Sequence, residues 1–198
     1  VGCVWGLLAP QAQFFIQQAE ILVGGARHLA LFPSHGGETR RLDADLPALM
    51  AWLAHRQQRA IVVLASGDPL LYGIGKQLAA HFSPDQLRIV PGISAVQYLC
   101  ARIALDMNDL LLSSSHGREP DFDWLVQHDK VALVTDALIG PSHIAQALLA
   151  RQAPHRLIIG ENLSLPTERI LHLSLVQAAT RADMKQAEMN VVVMLNER

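Results

Sequence analysis

The chain has 198 residues with 16 basic and 18 acidic side chains, a net charge of −2. Apolar residues make up 51% and charged residues only 17%. These figures exclude a disorder-dominated chain, disfavour a protein bound mainly to phosphate backbones, and suit one large domain or two small ones.

Residues 11–19 carry an apolar stripe at helical spacing, and residues 21–23 read as a short strand. A second striped helix is predicted over 46–57. The run 60–65 (AIVVLA) is β-branched and lacks polar alternation, which predicts a strand buried on both faces. Ile74, Leu78 and Phe82 then share one face of a helix over 74–82. Residues 87–90 read as a strand. Val96, Leu99, Cys100 and Ile103 fall at helical spacing over 95–104, opened by Ser94 and Gln97 as a capping box. Further strands are predicted at 110–113, 131–135 (VALVT), 156–159 (RLII), 170–172 and 190–195 (NVVVML). Pro141 suits the first turn of a helix over 142–151, and Ser174 with Gln177 forms a second capping box. Strand and helix alternate, which predicts α/β architecture. A helix stops and an extended run begins around 106–109 (DMND). The expected division is therefore an N-terminal α/β domain, 1–107, and a C-terminal α/β domain, 108–198.

Four loops follow predicted strands. The first, 65–75, holds Ser66, Gly67, Asp68, Pro69, Leu70, Leu71, Tyr72, Gly73 and Gly75. Ligands of open α/β sheets bind at the carboxyl ends of strands, and glycines allow close backbone approach. The same residues also suit an ordinary strand–turn–helix corner. The second loop is 91–97 (PGISAVQ), where Ser94 reads as an N-cap. The third is Thr135–Asp136. The fourth is 160–164 (GENLS). All four fall at the same edge of the predicted sheets.

Other chemistries lack their signatures. Gln77 stands where a phosphate-cradling loop needs Ser or Thr, and Leu78 breaks the dinucleotide glycine pattern. Nine histidines contain no H-x-x-x-H pair, and Cys3 and Cys100 have no metal-ligand spacing, so no metal site is expected. No G-x-S-x-G elbow is present. No apolar run reaches the roughly 18–20 residues of a membrane span, and no signal-peptide pattern opens the chain. A cytoplasmic protein with neither membrane nor nucleic-acid partners is expected. The chain opens on Val1 instead of Met, which predicts that a few native residues precede it.

Together, 66–73 (SGDPLLYG), 91–97 (PGISAVQ) and 160–163 (GENL) resemble the S-adenosylmethionine-dependent tetrapyrrole methylases. Residues 24–29 (GGARHL) and the GENL run resemble the branch that methylates C5 of a precorrin ring in cobalamin biosynthesis. The resemblance spans 21–195. It implies a two-domain tetrapyrrole methylase-like fold with the cofactor cleft between the domains, S-adenosyl-L-methionine as cofactor, and a homodimer. It further implies cofactor-binding roles for Gly67, Asp68, Leu71, Tyr72, Ser94, Ala95, Thr135, Asp136, Gly160, Glu161 and Asn190. A separate decarboxylating C15-methyltransferase is a candidate companion. In place of the family's first Gly-x-Gly-Pro-Gly loop the chain reads VGCVWGLLAP over 1–10.

The implied chemistry needs alignment and exclusion of water more than a side-chain nucleophile. No residue declares itself as the proton acceptor; Glu161, Asp136 and His116 are candidates. Arg27, Arg40, Arg41 and Arg118 are candidates for pairing with substrate carboxylates, each with a solvated face as the alternative. Two rival readings stand beside this one. One is a related methyltransferase acting on a macromolecule, of the diphthamide or ribosomal RNA type. The other is a non-catalytic ligand-binding homologue.

Overall fold

In a computed structural model, which describes residues 2–3, 8–115, 117–136, 138–185 and 190–197, the chain divides into two units, 1–94 and 95–198. The dividing point precedes the expected 107/108. The reason lies in helix α5 (Ala95–Arg102), whose Val96, Leu99 and Cys100 pack with Ala132, Ile158, Val191 and Val193 of the second unit's sheet. A helix follows the core that buries its apolar stripe.

The first unit is built on β2 (Ile21–Gly24), flanked in parallel by β3 (Glu38–Arg41) and β4 (Ile61–Val63). All four β2 residues are buried, and they alternate faces as a strand must. Ile21 and Val23 pack with Leu49, Met50 and Leu53 of α3 (Leu46–Ala54) and Leu78 of α4 (Gly75–His81). Leu22 packs on the other face with Ile16 of α1 (Pro10–Gln18) and with Leu64. A four-residue helix, α2 (Ala26–Leu29), follows β2 directly. Strand β1 (Gly2–Cys3) runs parallel to β5 (Ala65–Ser66).

Three readings change here. The run 60–65 is not one strand buried on both faces: it divides into the half-buried β4 and into β5, which pairs in a separate sheet. The charged run 38–41 (ETRR) forms the edge strand β3, mostly exposed. Charged residues are what an exposed sheet edge favours, and they hide it from a search for apolar runs. Conversely, residues 87–90 form no strand. Residues 87–90 and β4 both line a groove of about 500 Å3, with Ile61, Val63, Leu78, Leu87 and Val90 among its walls. Apolar sequence alone does not bring a ladder partner within hydrogen-bonding distance.

The second unit carries a five-stranded sheet in the order β6 (Leu111–Ser114), β7 (Lys130–Val134), β10 (Asn190–Asn196), β8 (His155–Glu161), β9 (Arg169–Ser174). β6 and β7 are parallel, and the other pairs are antiparallel. On one face Leu133, Leu157, Ile159, Val192 and Met194 meet helix α6 (Phe122–Leu125), α7 (Pro141–Ala150) and α8 (Leu175–Thr180). The other face meets α5. Cys100 lies in that second core, where burial pushes its thiol up and keeps it protonated. The Ser174–Gln177 capping box forms as expected at the start of α8. Among the described residues no helix is long and apolar enough to cross a membrane.

Ion pairs tie the start of β9 to its surroundings. Asp183 accepts from Arg169 at 2.9 Å and from Arg181 at 2.8 and 3.0 Å. Hydrogen bonds from Arg181 and then Arg169 hold its carboxyl well below the usual range. A carboxylate with a lowered folded pKa adds stability that is fully present above about pH 5 and lost as pH falls through about 4 and below. We therefore predict that the melting temperature drops as pH is lowered from 5 to 3. Asp183→Asn should lower it at pH 7 and show a smaller drop over that acid interval. Thermal scans across the pH series measure both.

Candidate functional site

In the first unit, the loop after β5 takes its shape from close backbone contacts. Gly67 has φ +58°, a left-handed conformation that costs glycine little. The Asp68 carboxylate accepts the Leu70 N–H at 2.8 Å, and its backbone carbonyl accepts the Leu71 N–H at 3.2 Å. The Pro69 carbonyl accepts the Gly75 N–H at 2.9 Å. A Cβ on Gly73 or Gly75 would sit 2.6 or 2.5 Å from that same carbonyl oxygen. Tyr72, with φ +53°, is 49% exposed, while Leu71 is half-buried. A left-handed bulky residue is an outlier that a binding loop can justify. Gly67, Asp68, Leu71 and Tyr72 thus share one loop at the carboxyl ends of the strands. Ser94, at the end of this unit, is buried, whereas Ala95, which starts α5, is exposed.

The same edge joins the candidate Arg27 and Ser66 of the first loop to His28, which the sequence did not mark. The Ser66 hydroxyl oxygen lies 3.0 Å from Arg27 Nη2 and 2.9 Å from His28 Nε2. His28 is half-buried, and burial, followed by the Arg27 charge, lowers its pKa. The available signal was an Arg-His pair after a Gly-Gly step at a strand end.

In the second unit the candidate residues gather where β7, β10 and β8 share an end. The Thr135 hydroxyl reaches the Asn190 backbone carbonyl at 3.1 Å and also its side-chain oxygen. Asn190 stands opposite Glu161, and Val191 opposite Gly160. Thr135, Glu161 and Asn190 are each 7% exposed. Arg169 lies 3.3 Å from the Glu161 carboxylate. A Cβ on Gly160 would meet Leu163 at 2.8 Å and Leu99 at 3.0 Å, so this glycine admits close packing of both leucines.

Asp136 has a different role from its neighbours. One carboxylate oxygen accepts the Leu138 and Ile139 N–H groups, both at 2.9 Å, and the other accepts the Gly117 N–H at 2.9 Å. It binds the 117 and 138–139 loop backbones together. His116 lies outside the described residues, as do 4–7 of the unusual first loop. Of the candidate arginines, Arg40 stacks 4.3 Å from the Trp52 ring centre, and Arg41 and Arg118 are exposed. Among the described residues no three His, Cys, Asp or Glu side chains group as metal ligands.

Gly75→Ala supplies a test of the loop. In an ordinary helix this change gains about 1 kcal/mol. Here it drives Cβ against the Pro69 carbonyl, so we predict a loss of about 1–3 kcal/mol, read by denaturant unfolding. Lys76→Ala, at an exposed position one residue on, should stay within about 0.5 kcal/mol.

The comparisons with known proteins bear on this geometry. A family model described as Tetrapyrrole (Corrin/Porphyrin) Methylases matches residues 3–179. A cobalt-precorrin-7 C(5)-methyltransferase of Salmonella typhimurium is 55% identical over 193 residues, 97% of this chain and 94% of that protein. The crystal structure of a precorrin-6Y methylase from Archaeoglobus fulgidus superposes with TM-score 0.76 at 21% identity, over 100% of this chain and 95% of that one. A uroporphyrin-III C-methyltransferase from Thermus thermophilus, solved with S-adenosylhomocysteine, superposes with TM-score 0.74 at 20% identity, over 96% and 91% of the two chains. The α/β fold is the one these structures share, and the chain belongs to the tetrapyrrole (corrin/porphyrin) methylase family.

Proposed function

We propose that this chain transfers a methyl group from S-adenosyl-L-methionine to C5 of a precorrin, with cobalt-precorrin-7 as the substrate. One observation carries the reading: 55% identity, sustained over 97% of the chain, to a protein named for that reaction. The cofactor supplies a methyl made electrophilic by a positive sulfonium. The protein's part is to position the partners and keep water out.

The loop geometry fits such a ligand. In the first unit we assign cofactor contacts to Gly67, Asp68, Leu71, Tyr72 and Ser94. The positive φ at Gly67 and Tyr72 gives the loop after β5 a sharply turned backbone, as a ligand-binding loop needs. The Asp68 oxygen not engaged by Leu70 is suited to a hydroxyl or amine donor. In the second unit we assign Ala95, Thr135, Asp136, Gly160, Glu161 and Asn190. There the buried Thr135–Asn190 pair is a fixed polar group at a strand end. Asp136 serves by holding its loops in place, since its carboxylate is occupied by backbone N–H groups. We further assign a homodimer in the cytoplasm, with C15 methylation left to a separate decarboxylating enzyme.

Calorimetry with S-adenosylhomocysteine tests the cofactor assignment. The wild-type protein should bind, and Gly67→Val, which forces a β-branched residue to positive φ, should weaken binding about tenfold or more, equivalent to about 1.4 kcal/mol. Leu70→Ala, at an exposed position, should bind normally. Absence of binding by folded wild-type protein would overturn the assignment. Labelled S-adenosylmethionine with cobalt-precorrin-7 should place the label on C5. Label found only on protein or RNA would overturn the substrate.

A further inference from the structure

Methylating a ring carbon that carries hydrogen requires that hydrogen to leave as a proton, so a proton acceptor belongs in the site. Asp136 and Glu161, the carboxylate candidates, are both engaged: Asp136 by three backbone N–H groups and Glu161 by Arg169. The described histidines divide sharply. His55, His81 and His128 each place Nδ1 on the carbonyl four residues earlier, a local helix contact. His155 bonds the His128 carbonyl. His143 and His172 face an exposed glutamate and an arginine, and the buried Nε2 of His35 meets no hydrogen-bonding group among the described residues. His28 alone among the described histidines has its ring against a side-chain hydroxyl.

That contact lies at the end of β2. Gly24 ends β2, and a Cβ there would lie 3.1 Å from Leu64 Cβ and 3.4 Å from His28 Cβ. A Cβ on Gly25 would lie 3.5 Å from His28 Nδ1. Both glycines therefore lie beside His28 at about ordinary van der Waals distance. Arg27 only donates, so it occupies a lone pair of the Ser66 oxygen. The Ser66 hydroxyl hydrogen is then available to His28 Nε2 at 2.9 Å. Ser66 is exposed and directly precedes Gly67.

We propose that Ser66 and His28 form a proton-accepting pair for the methyl transfer, with Arg27 orienting the hydroxyl. The inference rests on the methyltransferase reading above. The ring carbon bonds to the methyl carbon as the carbon–sulfur bond breaks, and that bond's electron pair stays on sulfur. The proton on the methylated carbon then passes to Ser66 Oγ while the hydroxyl proton passes to His28 Nε2. The former C–H electron pair restores the ring's conjugation. The imidazolium formed beside the Arg27 guanidinium is disfavoured by like charge, so it gives its proton to water and the pair resets. Burial and the Arg27 charge serve the same end before the reaction, since a base must start neutral.

The test uses His28→Gln, His28→Ala and Ser66→Ala in the full chain. For His28→Gln we expect kcat to fall about 100-fold or more. KM for the precorrin and the affinity for S-adenosylhomocysteine should stay near wild type. Added imidazole should restore His28→Ala several-fold and leave the wild type unchanged. Nitrogen-15 spectra of the wild type should show His28 Nε2 as a hydrogen-bond acceptor, a signature lost in Ser66→Ala. Wild-type kcat in His28→Gln overturns the pair while leaving the methyltransferase reading intact. So does a loss confined to KM or melting temperature with no imidazole rescue. A wild-type protein that binds the cofactor but transfers no methyl to the precorrin overturns both.

Discussion

Everything placed in the second unit depends on the register of β10. Six of its seven residues are buried, because helices cover both faces of the sheet. Val192 and Met194 belong to one core, and Val191, Val193 and Leu195 to the other. Each such side chain contributes about 1.5–3 kcal/mol of burial. Slipping the strand by one residue would exchange the two sets between cores shaped for the opposite set. The register that satisfies packing also sets Asn190 opposite Glu161 and beside Thr135. The polar cluster is thus positioned by apolar side chains that are not part of it.

The first unit reaches its site geometry by another route. Its sheet is short, and the loop after β5 is organised around one backbone oxygen. The Pro69 carbonyl binds the Gly75 N–H and leaves no room for a Cβ at 73 or 75. Those two glycines are needed for space, whereas Gly67 is needed for its left-handed φ. Residue type is the same, but the physical demand differs. Tyr72 takes a similar φ without the glycine dispensation, so the loop holds it there against its own preference.

How much of this was legible follows from what kind of signal each feature leaves. β10 announces itself as five apolar residues after an asparagine, because burial on both faces admits nothing else. β3 leaves no apolar trace, being a charged edge. Residues 87–90 leave the trace of a strand but form no ladder, since pairing depends on where the neighbouring chain lies. Of the site, the loop positions were readable, because turns after strands carry Gly, Asp and Ser. The task of each side chain was not. Asp136 looks like a ligand carboxylate in sequence, and only coordinates show three backbone N–H groups on it. The Arg27–Ser66–His28 cluster joins residues nearly forty positions apart, a contact no local pattern encodes.

The Gly24–Gly25 step joins these lines. In sequence it is part of a family likeness. In the structure Gly24 is a steric condition, because a Cβ there would press on Leu64 at 3.1 Å while meeting His28 at 3.4 Å, about ordinary van der Waals distance. Leu64 is wholly buried and cannot yield without cost to the core. Gly24 is thus a packing requirement of the core around Leu64, beside the 2.9 Å contact of His28 with Ser66. The motif that marks the family branch thus places a core packing constraint four residues before the imidazole that faces the Ser66 hydroxyl.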